Sequence, residues 1–154
     1  MNPVFSQILS LAKLDLSEEM IHKCWRHWQL IREWNSRVNL TSIRDDEEAA
    51  WLHYRDSIAA AEHLPSGPLV DMGSGAGFPG IPLAIVRPDI PITLVEPRRK
   101  RVSFLRVSTG RLGLTNVTIA MSRSEDIPDT PFAGLVTRAT FSEESDLHNC
   151  LKWV

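Results

Sequence analysis

From Ser17 onward, Ile21, Cys24, Trp28, Ile31 and Val38 recur at spacings of three, four or seven residues with polar residues between them, the pattern of a helix with one apolar face. Ser17, followed by Glu18 and Glu19, marks its start. Asp45 and Glu48 have the form of a capping box and open a second helix that carries Ala49, Leu52, Ile58 and Ala61 inward. Trp25, Trp28, Trp34 and Trp51 lie on these helices and are expected to pack against the rest of the molecule; base stacking is the other use for such rings. The pattern changes at Pro65-Ser66-Gly67-Pro68. Short apolar runs at 69–72, 92–96, 116–120 and 134–137 then predict strands. Between the first two, "GIPLAIV" is too apolar for a loop and predicts a short helix, with Pro79 and Pro82 tolerated near its first turn, where amides lack intrahelical acceptors. Residues 98–112 predict a helix stopped by Gly113, and 142–153 a final one. Strands alternating with helices predict an α/β, Rossmann-like, mostly parallel sheet over 65–154, with 1–64 as a helical extension packed on it to form one unit.

Composition narrows this picture. A chain of 154 residues, 43% hydrophobic and 23% charged, suits one soluble globular domain. A net charge of −2 offers no general attraction for nucleic acid, so such a role must rest on a local patch. Cys24 and Cys150 have no metal-ligand spacing and read as reduced thiols of a cytosolic protein without a metal site. The N-terminus shows no basic leader and no apolar run reaches the roughly 18 residues of a membrane span, so a cytoplasmic location is expected.

Candidate chemistry concentrates in "VDMGSGAGFPGIPLAIV", residues 70–86. Glycines after the first strand of such a sheet let a ligand approach the main chain and the next helix N-terminus. A dinucleotide fingerprint needs G-x-G-x-x-G, whereas Gly73, Gly75 and Gly77 are followed by Phe78, which disfavours NAD. Asp71 before the first glycine suits a ligand with a cationic amino group, and Glu96, ending the second strand, suits one with two ribose hydroxyls. S-adenosylmethionine has both.

The ordered set "NLTSIRD" (39–45), "HYRDSI" (53–58), "DMGSGAGFPGIPLAI" (71–85), "KRVSFL" (100–105) and "VTRA" (136–139) resembles the GidB family, also called RsmG, from about Leu16 to about Ala139. The resemblance implies an S-adenosylmethionine-dependent methyltransferase acting on guanine-N7 of 16S ribosomal RNA in the small subunit. It implies a cofactor pocket from Asp71, Gly73, Ser74, Gly75, Gly77 and Phe78, with Glu96 at the ribose, Ser124 and Glu125 near the adenine, and Arg123 and Arg138 beside the reaction site. Three departures accompany it: Leu52 stands where the family usually has arginine, Ala133 replaces a usual aspartate, and the family's sheet continues beyond the point where this chain stops. A C-terminally truncated sheet is therefore expected, with the edge of the fourth strand inviting self-association.

Guanine-N7 bears a lone pair and no proton, so its methylation needs alignment rather than a strong general base. No Asn/Asp-Pro-Pro-aromatic motif and no Pro-Cys dipeptide points to amino-group or pyrimidine methylation. Arg123 and Arg138 are suited to hold a base edge or phosphate with forked donors, or are surface or ion-paired arginines. Arg98, Arg99, Lys100 and Arg101 oppose the dipole at a helix N-terminus; a nearby RNA phosphate explains such a placement, and a solvated helix face is the ordinary alternative. A non-catalytic cofactor- or RNA-binding module and a small-molecule methyltransferase are the competing functions.

Overall fold

The computed structural model describes residues 1–11, 15–123 and 132–138. Four parallel strands, β1 (Leu69–Met72), β2 (Ile92–Val95), β3 (Val117–Ala120) and β4 (Gly134–Thr137), lie in the order β3-β2-β1-β4. Leu69 pairs with Ile92 on one side and with Gly134 on the other. The chain thus winds outward from β1 in both directions, and the carboxyl ends of β1 and β2 stand side by side where a doubly wound sheet takes its ligand.

Period-two alternation sorts the strand residues between two faces. Leu69, Ile92 and Leu94 join the large core with α5 (Gly80–Val86) and α6 (Arg99–Leu112), while Val70, Met72 and Val95 cluster with Phe132 on the opposite face. Gly113 closes α6 in the left-handed conformation at φ 64°. Asn116 donates from Nδ2 to the carbonyls of Ala84, Arg87 and Ile90, tying the end of α5 to the start of β3.

The N-terminal helices share that large core. In α2 (Glu18–Val38), capped by Ser17, the expected stripe is buried at Ile21, Cys24, Trp28 and Ile31, and it also takes in His27, Leu30 and Asn35. Burial pushes the Cys24 thiol pKa up. Asn39 ends α2 at φ 54°, and the buried Asn35 side chain fixes the exit by accepting from the Leu40 and Thr41 amides and donating to the Thr41 carbonyl. An unforeseen helix, α1 (Pro3–Ser10), begins with Asn2 accepting from the Val4 amide and Pro3 in its first turn, and it buries Phe5, Ile8 and Leu9.

The second helix departs from expectation in its middle. Asp45 caps it through the Glu47 and Glu48 amides, but between α3 (Asp46–Ala49) and α4 (Asp56–Ala59) the backbone makes a π-helical turn over Ala50–Arg55. A wider turn rotates the following side chains, so Tyr54 is buried while Leu52, expected inside, is 49% exposed. Trp51 is turned outward with it, contrary to expectation, and carries the Arg55 guanidinium 4.6 Å from its ring centroid. Trp28 is fully buried, and Trp25 and Trp34 pack on the core as expected.

Candidate functional site

A cleft of about 430 Å³ opens at the carboxyl ends of β1 and β2. Its floor is the loop of Gly73, Ser74, Gly75, Ala76 and Phe78; Glu96, Pro97, Arg98 and Arg101 form one wall, and Leu40, His53 and Arg138 also line it. The loop is anchored to the sheet, because the amides of Gly73 and Ser74 both donate to the Val95 carbonyl at 2.9 and 3.0 Å. It then tightens on itself through the Gly77 and Phe78 amides, both donating to the Ser74 carbonyl.

Each glycine has its own reason. Gly73 and Gly75 line the cleft at φ 72° and 55°, left-handed values that side chains rarely adopt. A Cβ at Gly75 would sit 3.7 Å from Arg101 Nη1 and 3.8 Å from the Gly73 carbonyl oxygen, ordinary contact distances, at the edge of the cleft. Gly77, at φ 96°, does not line the cleft; a Cβ there would run into the Ile81 side chain. The packing of Ile81 in α5 and the positive φ both require glycine there.

Glu96 is only 2% exposed, yet it lines the cleft. Its Oε2 accepts from the Gly75 amide at 3.0 Å and its Oε1 from the Arg98 amide at 2.9 Å, with Arg101 Nη1 at 3.8 Å from Oε2. Those bonds satisfy the buried charge and leave each carboxylate oxygen a second lone pair. Arg101 also donates from Nη2 to the Asn39 carbonyl at 3.4 Å, joining the α2 exit to the same wall.

Asp71 lies beneath the loop and not on the cleft wall. It is fully buried, and its Oδ2 accepts from the Gly80 amide at 3.0 Å, capping the start of α5. The alternation of β1 explains the difference: Asp71 shares the face of Leu69, toward α5. Burial pushes its carboxyl pKa up to about 7, against the Gly80 amide and the nearby Ser74 side chain, which favour ionisation.

Among the basic residues, Arg98 and Arg101 reach the cleft, whereas Arg99 and Lys100 are exposed on α6 without lining it. Arg138 lines the cleft and lies 4.0 Å from an Asp56 carboxylate oxygen. Arg123 is exposed beyond β3 and is not among the cleft-lining residues described. Ser124 and Glu125 lie outside the described residues.

Sequence patterns do not single out His53 as a cleft residue, although it stands within the "HYRDSI" segment. Its ring stacks on Phe78 at 4.4 Å and 15°, and its Nε2 is 2.9 Å from the Thr41 hydroxyl. Burial, with the Arg138 guanidinium nearby, holds its pKa down to about 4, so the ring is neutral at pH 7. Periodicity could not reveal it, because the π-helical turn sets which way it faces.

Among the described residues no group of histidine, cysteine or acidic side chains could hold a metal ion, and no helix is long and apolar enough to cross a membrane. The fold is that of S-adenosylmethionine-dependent methyltransferases. One solved structure of this shape is a coclaurine N-methyltransferase bound to N-methylheliamine and SAH, with a TM-score of 0.57 and 14% identity over 98% of this chain and 54% of that one. Closer in sequence are proteins named ribosomal RNA small subunit methyltransferase G. The one from Methylobacillus flagellatus is 42% identical over 84% of this chain, and the one from Yersinia pseudotuberculosis 40% identical over 95%. The aligned part spans 63% of the Methylobacillus protein and 69% of the Yersinia protein. The model of the GidB family, described as rRNA small subunit methyltransferase G, matches residues 20–153, and with the glycine loop and Glu96 assembled on one cleft the chain belongs to that family.

Proposed function

We propose that this chain binds S-adenosylmethionine in the cleft and serves methylation of guanine-N7 in 16S ribosomal RNA, in the cytoplasm where small subunits are made. The observation that carries the reading is Glu96, an almost wholly buried carboxylate that lines the cleft and is held against the glycine loop by the Gly75 amide, an arrangement suited to a ribose. The residues present fit the cofactor: a cleft of about 430 Å³ lies within the usual range for small-ligand sites of roughly 300–1,000 Å³, and a side chain at Gly75 would intrude on it.

When bound, S-adenosylmethionine supplies an electrophilic methyl group on sulfonium. The chain's residues bind and orient. Glu96 accepts from ribose hydroxyls through its remaining lone pairs, Gly73 and Gly75 let the ligand lie against the backbone, and Phe78 with His53 forms an apolar wall. Arg138 holds the base edge or an adjoining phosphate with forked donors, and the exposed Arg99 and Lys100 meet RNA phosphates farther out. Since N7 bears no proton, catalysis is alignment, and the neutral His53 has no proton to remove from it.

The test is transfer of labelled methyl groups to unmodified small subunits, naked ribosomal RNA and small metabolites side by side. Label in the subunits or the RNA is expected. Label confined to metabolites overturns the substrate, and cofactor binding without any transfer makes this chain a binding module.

A further inference from the structure

His27 lies on α2, outside the cleft, and is fully buried with both ring nitrogens engaged. Its Nε2 is 3.0 Å from the Ala76 carbonyl oxygen and its Nδ1 is 2.9 Å from the Tyr54 hydroxyl. A carbonyl oxygen only accepts, so Nε2 carries the proton; Nδ1 then presents a lone pair to which the Tyr54 O–H donates. This one arrangement gives the Tyr54 hydroxyl, both His27 ring nitrogens and the Ala76 carbonyl a partner each. The ring also packs between Phe78 and Phe104, at 5.3 and 6.0 Å between centroids.

The carbonyl it holds has a special position. Ala76 stands between Gly75 and Gly77, both at positive φ, so the peptide planes around it have glycine's freedom to rotate. The Ala76–Gly77 plane is pinned on its amide side by the Gly77 N–H bond to the Ser74 carbonyl, and on its carbonyl side by His27. Ala76 and Phe78, the loop residues His27 touches, line the cleft; His27 does not.

We infer that His27, oriented by Tyr54, is a positioning residue of the cofactor cleft: by donating its Nε2 proton to the Ala76 carbonyl it holds the 73–78 loop in the shape that receives the ligand. The N-terminal extension therefore sets the geometry of the binding loop as well as covering the core. Burial, the larger effect, holds the His27 pKa down to about 3 against the Ala76 bond, so the ring is neutral at every physiological pH, and the Ala76 carbonyl selects the Nε2-protonated tautomer. The inference rests on the S-adenosylmethionine reading.

Calorimetric titration of S-adenosylmethionine into the unaltered chain, His27→Gln and the double variant His27→Phe/Tyr54→Phe tests it. Phenylalanine at both positions removes every polar group except the Ala76 carbonyl, which loses its donor; glutamine keeps a donor where Nε2 stood. Affinity is expected to fall about tenfold in the double variant and to recover to within about threefold in His27→Gln, a rescue that loss of packing would not produce. Equal affinity of the unaltered chain and a folded double variant overturns the inference and leaves the cofactor reading intact. Absence of binding to the unaltered chain overturns the cofactor reading. Imidazole nitrogen spectra of the unaltered chain from about pH 5 to about pH 8 decide the bond without any ligand or variant. A ring protonated at Nε2 throughout supports the inference, and a ring whose proton sits on Nδ1 alone overturns it.

Discussion

At the scale of single residues, the loop divides by what stands behind each position. A valine at Gly75 would project beside Arg101 at the cleft edge, while a side chain at Gly77 would strike Ile81. Gly75→Val is therefore expected to abolish S-adenosylmethionine binding in a chain that still folds, at a cost of about 1–2 kcal/mol for the left-handed backbone. Unchanged calorimetric affinity in that variant would contradict the assignment of the cleft. Asp71 offers a second test, through pH. Its carboxyl pKa is 3.8 ordinarily and about 7 in the fold, so its contribution to stability is fully present below about 3.8 and is lost as pH rises through 7. Asp71→Asn, which keeps an acceptor for the Gly80 amide, should unfold at higher urea than the unaltered chain at about pH 8 and lose that advantage at about pH 4. An advantage that does not change with pH would mean that Asp71 titrates normally. His27 and His53 slope the other way, since both pKa values are lowered from 6.5, to about 3 and about 4; their stabilisation is present above 6.5 and fades as pH falls. The comparison must be made variant against unaltered chain at each pH, so that these opposing slopes cancel.

At the scale of elements, the basic run at the start of α6 separates into two pairs. Arg98 and Arg101 face the cleft, Arg101 engaged with Glu96 and the Asn39 carbonyl, while Arg99 and Lys100 are exposed. Replacing Arg99 and Lys100 by alanine should weaken RNA binding and flatten the dependence of log affinity on log salt by about 1.4–1.8, because two fewer phosphates would be neutralised. Cofactor affinity should stay as it was. An unaltered salt slope would make the pair a solvated helix face. The four strands and the helices α2, α5 and α6 were legible because each is bounded by its own chemistry, such as the Ser17 cap and the Gly113 stop. The π-helical turn was not, since nothing in 50–55 breaks helical periodicity, and it is this turn that exposes Leu52 and Trp51 and brings His53 to the cleft.

Across the whole molecule, one core joins the N-terminal helices to the sheet, from Phe5 in α1 to Leu94 in β2. Removing residues 1–11 would strip Phe5, Ile8 and Leu9 from it, at about 1.5–3 kcal/mol for each buried side chain, a sum comparable to a domain's stability of roughly 5–15 kcal/mol. Such a variant is expected to melt well below the unaltered chain. A melting temperature that did not move would show that α1 is dispensable decoration.

The sequence by itself determined the four strands, the helices α2, α5 and α6, the glycine-rich loop after β1 and the carboxylate that ends β2, because caps, periodicity and loop spacing act between neighbours in the chain. Tertiary structure decided which of those residues line the cleft. Asp71 turns toward Gly80 because β1 alternates against α5, Gly77 answers to Ile81, and His27 reaches Ala76 across 49 positions of sequence. Contacts between distant segments depend on how elements pack, and no local pattern in 20–38 or 73–78 encodes that a buried imidazole on one will meet a backbone carbonyl on the other.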